Sequence, residues 1–325
     1  MEAEADAGKA REAVGFPQEG SLIRGVSLRV FLTGATGYIG TVVAERLAEA
    51  GHHLSALARS DSAAARLSMA GVRPVPGDLD DPLVLARAAA AADGVITLAT
   101  TYDAKVDGPA VDAILGALEG SGKPYLYTSG IWSQGDTGGT VVDETMPTQP
   151  FAHVAWRKPI EDRVRQAAQR QVRSVDIRPG MVYGRAGGIP AGFTESARKD
   201  GAARFVGAGE NRWAMVHVDD LADLYALAFE RAPAGILLLA VSGPAYPVKE
   251  LAAAASRGAG SGGRTSSWPL EEARAALGSY ADALALDQQA SGRRARELLG
   301  WRPHRPGPIE ELERGSYAAG DKPLG

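Results

Sequence analysis

The sequence predicts an α/β fold built on a doubly wound parallel sheet, with a smaller, partly interleaved C-terminal substrate lobe. Three observations predict it. Apolar strand-like segments alternate with helical patterns up to Arg178, the first strand runs into a glycine-spaced turn, and the alternation loosens after Arg178. Strands separated by single helices pair in parallel through right-handed crossovers. Ligands of such sheets lie at the carboxyl ends of the strands.

The elements follow in order from the spacing of apolar residues and from their stop signals. Gly51 ends the first helix, the third helix is alanine-rich, and the helix after Val218 has an acidic start. A Gly/Ser-rich run at 258–267 is expected to be a loop without packing. The predicted strands are 28–33, 54–58, 72–76, 94–99, 125–128, 174–178 and 235–241, and the predicted helices are 40–50, 61–70, 81–91, 107–119, 155–171, 193–199, 219–231, 247–256, 271–277 and 292–299.

Length, charge and composition narrow the function classes. A chain of 325 residues can bury a large core, and its net charge of −4 argues against a nucleic-acid partner. The absence of cysteine excludes disulfides, thiolate metal sites and cysteine nucleophiles. No apolar run reaches transmembrane length and the N-terminus lacks a secretory core, so a cytoplasmic protein with no membrane partner is expected.

The stretch Thr33-Gly34-Ala35-Thr36-Gly37-Tyr38-Ile39-Gly40 carries the strongest functional indication. A strand delivers this turn, and the turn opens a helix whose free N–H groups favour a phosphate. Gly34 permits the turn, Gly37 admits a pyrophosphate and Gly40 lets helix and strand pack closely. The alternative is an ordinary glycine turn. The context favours a dinucleotide site.

The domain organisation follows from this site. Residues 1–25 have no usable periodicity and are expected to form a flexible N-terminal extension. Residues 26–180 are expected to form the dinucleotide-binding domain, and residues 181–325 the substrate-binding lobe. The apolar segment 235–241 is expected to return to the sheet.

The end of the second strand decides which nicotinamide cofactor is favoured. Arg59 stands there, where an arginine pairs with a 2′-phosphate, and Ser60 can donate a second hydrogen bond. Asp61 could instead serve an unphosphorylated ribose. NADP(H) is therefore favoured, with NAD(H) as the alternative. After the third strand, Asp78 could accept from an adenine amino group or cap the helix that starts near Asp81.

Several motifs resemble the extended or atypical short-chain dehydrogenase/reductases, the NAD-dependent epimerase/dehydratase family. The resemblance covers about residues 28–305 and implies a Rossmann fold, a small-molecule substrate, an adenine contact for Asp78 and a nicotinamide contact after the sixth strand. It also implies a homodimer through helices 107–119 and 155–171. Besides the glycine-rich turn, the matching motifs are Gly77-Asp78-Leu79, Tyr127-Thr128-Ser129-Gly130, Arg178-Pro179-Gly180-Met181-Val182-Tyr183-Gly184, Val216-His217-Val218-Asp219-Asp220-Leu221-Ala222 and Glu297-Leu298-Leu299-Gly300-Trp301-Arg302-Pro303.

The resemblance also places residues against the cofactor and the substrate. The expected cofactor contacts are Thr33, Gly34, Thr36, Gly37, Tyr38, Ile39, Gly40, Arg59, Ser60, Asp78, Leu79, Ala99, Thr100, Lys158, Pro179, Gly180 and Met181. Aromatic and basic side chains near the expected pocket predict an apolar or ring-bearing substrate, and the expected contacts are Trp132, Tyr183, Arg185 and Trp213.

One departure from the family matters for catalysis. Its members use a Tyr for proton transfer, a Lys four residues later to assist the Tyr and hold the ribose, and a Ser or Thr on the substrate oxygen. The segment from Phe151 to Glu161 has no Tyr-x-x-x-Lys. Two registers fit: His153 with Arg157, or Val154 with Lys158. The basic residue four positions before Glu161 supports the first.

The proton donor is therefore left open among three side chains. An imidazole titrates near neutral pH, which makes His153 a candidate, and Tyr102 and Tyr183 are phenols that follow strands. Arg157 or Lys158 would hold the ribose, and Ser129 or Thr128 would bond the substrate oxygen.

These residues favour an NADP(H)-dependent oxidoreductase acting on a small or medium organic carbonyl or alcohol. The alternatives are a non-redox epimerase or dehydratase that uses bound NAD(P), and a sensor that binds NAD(P) without catalysis. No metal site is expected, because His217, Asp219 and Asp220 stand at a helix start, where such residues cap the helix.

Overall fold

The computed structural model describes residues 27–318. The expected N-terminal extension, residues 1–25, lies outside the described residues. The strands are β1 (Arg29–Thr33), β2 (His53–Ala58), β3 (Arg73–Pro76), β4 (Gly94–Thr97), β5 (Pro124–Thr128), β6 (Val141–Val142), β7 (Arg173–Pro179), β8 (Met181–Tyr183), β9 (Ala203–Val206), β10 (Arg212–Trp213), β11 (Met215–His217), β12 (Ile236–Ala240), β13 (Tyr246–Pro247), β14 (Thr265–Trp268) and β15 (Gln289–Ala290).

The helices alternate with these strands in the first half of the chain. They are α1 (Tyr38–Glu49), α2 (Asp61–Met69), α3 (Pro82–Ala91), α4 (Ala104–Leu118), α5 (Arg157–Gln166), α6 (Ala191–Asp200), α7 (Val218–Arg231), α8 (Val248–Gly258), α9 (Leu270–Leu277), α10 (Tyr280–Ala285), α11 (Arg293–Leu299) and α12 (Pro308–Arg314). Short 3₁₀ segments lie at Ile131–Gln134, Ala152–Val154 and Ala167–Arg170.

The central sheet has seven strands in the order β3-β2-β1-β4-β5-β7-β12, all of them parallel. The fold class predicted from the sequence is confirmed, including the return of the late apolar strand to the sheet: Ile236 of β12 pairs with Val175 of β7. The strand order reverses between β1 and β4. In a doubly wound sheet, this reversal opens a crevice at the carboxyl ends of the strands.

The two faces of the sheet are covered by different helices. Helices α1, α2 and α7 pack on one face, where Leu47, Leu67 and Phe229 belong to one buried apolar cluster. Helices α3, α4 and α5 pack on the other, where Leu85 and Ile114 belong to a second cluster. The central strands β1, β4 and β5 are covered on both sides and are buried along almost their whole length, whereas the edge strand β3 is not.

The C-terminal lobe has its own apolar cluster and several short strand pairs. Phe193 of α6, Phe205 of β9 and Leu251 of α8 belong to this cluster. Strands β8 and β11 pair in parallel, as do β9 and β14 and also β6 and β15, whereas β10 and β13 are antiparallel.

Two sequence predictions need correction. The expected loop without packing at 258–267 is wrong for its last three residues, because β14 pairs with β9 from Thr265 to Trp268. The expected long helix 155–171 is shorter: α5 spans Arg157–Gln166, and a 3₁₀ segment continues to Arg170. Among the described residues 27–318, no helix combines the length and apolarity needed to cross a membrane.

Candidate active site

A cavity of about 280 Å³ opens at the carboxyl ends of β1, β4, β5 and β7, where the strand order reverses. The glycine-rich turn, the loop after β4, the start of α5 and the loop after β7 all contribute to its wall. The lining residues are Tyr38, Ile39, Leu98, Thr100, Tyr102, Thr128, Ser129, Gly130, Ile131, Trp132, Ser133, Val154, Arg157, Pro179, Gly180, Met181, Val182, Gly188 and Ile189.

The glycine-rich turn has no room for side chains at two positions. A Cβ on Gly34, whose φ is +75°, would approach Ala99 N to 2.6 Å, and one on Gly40 would overlap the Gly34 carbonyl oxygen. The Gly37 N–H donates to Gly34 O at 3.0 Å, which closes the turn. Helix α1 begins at Tyr38 with no side-chain cap and no acidic residue in its first turn. Its N-terminus is thus open to an anion.

Two hydrogen bonds join the glycine-rich stretch to neighbouring elements, one to the loop after β4 and one to helix α2. Thr33 is fully buried, and its Oγ1 accepts from Ala99 N at 3.3 Å. The Thr36 carbonyl accepts from Arg66 of α2 at 3.0 Å. The sequence reading did not single out Arg66. Arg66 lies on the second turn of α2, and its position in the sequence relative to the Ser60 cap could have identified it.

Arg59 and Ser60 follow β2 on the exposed side of this turn. Ser60 caps α2, because its Oγ accepts from Ala63 N at 3.2 Å. Arg66 of α2 adds a second guanidinium beside the glycine-rich turn, since it donates to the Thr36 carbonyl. Such groups suit a phosphate.

Asp78 was expected either to contact an adenine or to cap α3, and the contacts of Asp81 bear on the second interpretation. Asp81, not Asp78, caps α3, with its Oδ1 accepting from Val84 N at 3.1 Å. The Asp78 carboxylate is half-buried and accepts the N–H of Leu79 at 2.7 Å. Its second oxygen is the group available to an adenine.

The loop after β4 is organised by a carboxylate that the sequence reading missed. Asp107, in the first turn of α4, accepts from the hydroxyls of Thr100 and Thr101 and from the Thr101 N–H at 2.9 Å. This loop holds Tyr102 in the left-handed region at φ +59°. Non-glycine residues held in this way cluster at functional sites. The signal in the sequence was the Thr-Thr pair seven and six residues before the helical Asp107.

Arg157 is the buried cation of the cavity. Its side chain is buried, and its guanidinium lies 5.1 Å from the ring centroids of both Tyr102 and Trp156. Its Nη2 donates to Thr100 Oγ1 at 3.2 Å. The first turn of α5 thus brings a fixed positive charge to the ring of Tyr102.

The two registers place their basic residues differently. Lys158 does not line the cavity: its Nζ lies 2.8 Å from both carboxylate oxygens of Asp162, and its side chain lines a separate cleft of about 520 Å³ with Glu144 and Arg165. Val154, its companion, is a buried apolar residue in the cavity wall. Of these two basic residues, Arg157 is the one that lines the cavity.

His153 lies beside the cavity rather than in its wall. Its Nδ1 is 3.0 Å from Ser279 Oγ, and its ring centroid is 5.8 Å from that of Tyr102. His153 and Tyr102 thus form a ring pair at the cavity mouth.

The two hydroxyl candidates after β5 differ in their partners. Thr128 Oγ1 is bonded to Tyr225 OH at 2.6 Å. Ser129 Oγ is buried and forms no hydrogen bond of standard geometry among the described residues, although its hydroxyl helps to lower the pKa of Asp176. Of the two hydroxyls, that of Ser129 is the one without a hydrogen bond of standard geometry among the described residues, and its interaction is with Asp176.

Behind Ser129 lies a buried charged network that the sequence reading did not single out. Arg178 pairs with Glu161 and donates to Gln134, and Arg165 Nη1 lies 2.7 Å from Asp176 Oδ2. Burial raises the pKa of Asp176 to about 7, with the charge of Glu161 adding to the effect and Arg178 and Arg165 opposing it. Buried charges persist only when paired in this way.

The segment after β7 closes the cavity from the side of the C-terminal lobe. Gly180 packs against β11, where a Cβ would approach Ala214 O to 2.6 Å, and Met181 N donates to the same carbonyl at 2.8 Å. Pro179, Gly180 and Met181 line the cavity together with Ile39 and Tyr38. Tyr38 OH donates to Gly184 O at 2.7 Å, which anchors this segment to α1.

Of the four expected substrate contacts, Trp132 lines this cavity and three lie elsewhere. Tyr183 is buried and donates to Pro306 O at 2.8 Å, because its strand direction turns it into the lobe. Arg185 lies at the surface in ion pairs with Glu45 and Asp219, both at 2.6 Å. Trp213 is stacked on Phe193 inside the lobe, with ring centroids 5.7 Å apart.

The acidic start of α7 has structural partners. His217 provides the side-chain cap, with Nδ1 accepting from Asp219 N at 3.2 Å. Asp220 accepts the N–H groups of His304 and Arg305 at 3.0 and 3.3 Å. Asp220, Asp223 and His304 bring potential ligand atoms within 4.8 Å, but Asp223 pairs with Arg46 at 2.5 Å. These contacts tie the C-terminal segment to α7.

Taken together, the open start of α1, the glycine-rich turn and the cationic end of β2 fit a dinucleotide. The cavity wall adds a phenol and a guanidinium, both at the carboxyl ends of the strands. This set of groups can hold a nicotinamide and exchange a proton with a small molecule.

The sequence of this chain matches a known protein family. The family model described as "NAD dependent epimerase/dehydratase family" matches residues 30–238. An uncharacterized protein of Schizosaccharomyces pombe is 32% identical over 308 residues, which cover 89% of this chain and 100% of the relative. A 2-alkyl-3-oxoalkanoate reductase of Stenotrophomonas maltophilia is 27% identical over 248 residues, 69% of this chain and 73% of the relative.

A solved structure extends the comparison to the fold. The UDP-glucose 4-epimerase of Thermotoga maritima, crystallised with UDP-glucose, superposes with a TM-score of 0.76 at 19% identity, covering 90% of this chain and 97% of the epimerase. The similarity in sequence and fold spans both the sheet and the lobe. This chain belongs to the NAD-dependent epimerase/dehydratase family, whose members bind NAD(P).

Proposed function

We propose that this protein is an NADP(H)-dependent oxidoreductase that interconverts a small or medium organic carbonyl compound and its alcohol. The observation that carries the proposal is the contact between Arg157 and Tyr102, a cation against a phenol in the wall of the dinucleotide cavity. The relative named as a 2-alkyl-3-oxoalkanoate reductase supports net redox chemistry over epimerisation.

The chain's own residues would hold the cofactor along the edge of the sheet. The turn at Gly34–Gly40 and the start of α1 would hold the diphosphate, and Asp78 the adenine. Arg59 and Ser60 would hold the 2′-phosphate, which is the basis for favouring NADP(H) over NAD(H). Arg157 would take the nicotinamide ribose, and Pro179, Gly180 and Met181 would face the ring.

NADPH, when bound, supplies a hydride to the carbonyl carbon and leaves as NADP⁺. The phenol of Tyr102 donates the proton that the carbonyl oxygen gains, so that the product is the alcohol. Arg157 stabilises the phenolate that remains. His153, whose ring packs beside Tyr102, lies where it can pass a proton between solvent and the phenolate.

We assign the contact with the substrate oxygen to Ser129 rather than Thr128. The Thr128 hydroxyl is bonded to Tyr225, whereas Ser129 lines the cavity with a hydroxyl that forms no hydrogen bond of standard geometry among the described residues. A hydroxyl that donates there stabilises the charge that develops on oxygen.

The test is NADPH oxidation against a panel of ketones and aldehydes, with wild type, Tyr102→Phe and His153→Ala compared at several pH values. Tyr102→Phe keeps the ring over Arg157 and removes the acid, so kcat is expected to fall by roughly 10²-fold or more. His153→Ala is expected to lower kcat by less than Tyr102→Phe does. Full activity of Tyr102→Phe would remove the proton donor from this account. Tight NADPH binding without turnover would favour a sensor, and isomerisation of a sugar without NADPH consumption would favour an epimerase.

A further inference from the structure

A second cavity of about 240 Å³ lies in the C-terminal lobe next to the first. Ile189 lines both cavities, and the ring of Trp132 from the first contacts that of Tyr280 from the second, with centroids 5.7 Å apart. The lining residues are Ile189, Gly192, Phe193, Ser196, Arg204, Phe205, Val206, Trp213, Val248, Trp268, Tyr280 and Leu284.

Five of the twelve residues that line this cavity are aromatic. Phe193 and Trp213 are stacked with an interplanar angle of 20°, and Phe205 belongs to the same buried cluster. Trp268, on the strand β14 that pairs with β9, and Tyr280, at the start of α10, complete the wall. Rings arranged in this way bind another ring by offset stacking and edge contacts.

The charge in this wall is small. Among the described residues that line the second cavity, Arg204 is the one with a charged side chain, and its guanidinium already lies 4.3 Å from the centroid of the Trp268 ring. A nucleoside diphosphate carries at least two negative charges and requires several cationic or N–H partners. The second cavity therefore suits a neutral aromatic group better than a sugar nucleotide.

The volume limits the size of that group. A cavity of roughly 150 Å³ holds benzene, so the 240 Å³ found here corresponds to about one or two fused rings. The position of the second cavity beside the first limits where the rest of the substrate can lie. Ile189 and the Trp132–Tyr280 pair lie where the two cavities adjoin, so a ring in the second cavity has the first cavity, with Arg157 and Tyr102, on that side.

We infer that the substrate is a neutral aryl carbonyl compound, with its ring of one or two fused six-membered cycles in the second cavity and its carbonyl in the first. This inference rests on the proposed reductase function and names the substrate class for the same site. Phe193, Phe205, Trp213 and Tyr280 then set specificity, and they do so through the shape of their rings.

Gly192 gives a direct test, because it lies at the wall of the second cavity and a Cβ there would meet no atom within 4 Å. Gly192→Leu adds a side chain at the wall of the ring site without a backbone conflict. Gly116→Leu is the matched control: Gly116 lies on the exposed side of α4, outside all three cavities, and is equally free of neighbours.

The measurements are NADPH oxidation with 2-acetonaphthalene, acetophenone and 2-butanone, and calorimetric binding of 2-acetonaphthalene to the NADP⁺-loaded enzyme. Wild type is expected to prefer both aryl ketones over 2-butanone by roughly tenfold or more in kcat/KM. Gly192→Leu is expected to lower the ratio of kcat/KM for 2-acetonaphthalene to that for 2-butanone by roughly tenfold, and Gly116→Leu is expected to keep the wild-type ratio.

The outcomes separate this inference from the function on which it rests. Binding of 2-acetonaphthalene that Gly192→Leu weakens, without turnover of any ketone, would support the ring site and overturn the reductase. Turnover of 2-butanone equal to that of the aryl ketones, or an unchanged preference in Gly192→Leu, would overturn the ring site alone. If the enzyme prefers an aryl carboxylate and Arg204→Gln abolishes that preference, the inference that the substrate is neutral would be overturned.

Discussion

The guanidinium of Arg157 lies 5.1 Å from the centroid of the Tyr102 ring and donates to Thr100, two residues before that ring. This relationship joins the loop after β4 to the first turn of α5. The loop is held from its other side by Asp107, which accepts from Thr100 and Thr101. The position of the phenol is therefore set by two charged groups on two helices.

Replacing Arg157 tests whether this cation serves catalysis. Arg157→Gln keeps a donor toward Thr100 but removes the charge, and we expect kcat to fall by roughly 10²-fold with a higher KM for NADPH. The matched control is Arg163→Gln on the same helix, where the side chain is exposed and pairs with Asp112. Steady-state kinetics of both variants, with melting temperatures to exclude unfolding, decide the matter. Equal activity of the two variants would show that Arg157 only packs.

The preference for NADP(H) is tested at the end of β2. Arg59→Ala removes a guanidinium that would pair with the 2′-phosphate, so KM for NADPH is expected to rise by roughly 10- to 100-fold while KM for NADH stays constant. Arg73→Ala serves as the control, because this exposed arginine starts the neighbouring strand β3 at the amino ends of the strands, away from the carboxyl end of β2 that Arg59 follows. A parallel change for both cofactors would contradict a phosphate contact.

The glycine-rich turn is tested by one methyl group. In Gly40→Ala the new Cβ would overlap the Gly34 carbonyl oxygen, so the turn must open. We expect dinucleotide binding by calorimetry to be lost while circular dichroism retains the helical signal. Gly116→Ala, at a helical position with free space, is the control. Wild-type affinity in Gly40→Ala would show that the turn does not hold the diphosphate.

Asp176 gives a pH dependence of stability with a defined sign. Its pKa is raised to about 7 by burial and by Glu161, above the ordinary value of 3.8. The native state therefore holds this proton more tightly than the unfolded chain, and wild type gains stability as pH falls from about 7 toward 4. Below the ordinary value the gain is complete.

The measurement compares wild type with Asp176→Asn by urea unfolding between these pH values. The variant lacks the titrating group. The free energy of unfolding of wild type is therefore expected to fall relative to that of the variant as pH rises. A constant difference would mean that Asp176 stays ionised throughout, paired with Arg165.

The sheet was predictable because its strands are apolar runs with clear breaks. The boundaries of β1, β2 and β3 lie within one residue of the prediction, since Gly and Pro mark their ends. The short strands of the lobe were not predictable. Thr265–Trp268 is polar and exposed over most of its length, and only its pairing with β9 makes it a strand.

The choice between Arg157 and Lys158 could have been made from helical phase. Arg157, Ile160, Glu161 and Val164 share one face at i, i+3, i+4 and i+7, and all four are buried. Lys158 lies off this face. The ring pair of Tyr102 and His153 was beyond sequence reasoning, because it depends on how the loop after β4 folds back on the 3₁₀ segment Ala152–Val154.

The central claim is that this chain transfers a hydride between NADPH and a carbonyl carbon. Incubation with NADPH deuterated at the transferable position of its nicotinamide, and with 2-acetonaphthalene and 2-butanone as acceptors, tests it most directly. We expect an alcohol product that carries one deuterium by mass spectrometry and forms in an amount equal to that of NADP⁺. Product without deuterium, or NADPH consumed without any alcohol formed, would contradict it.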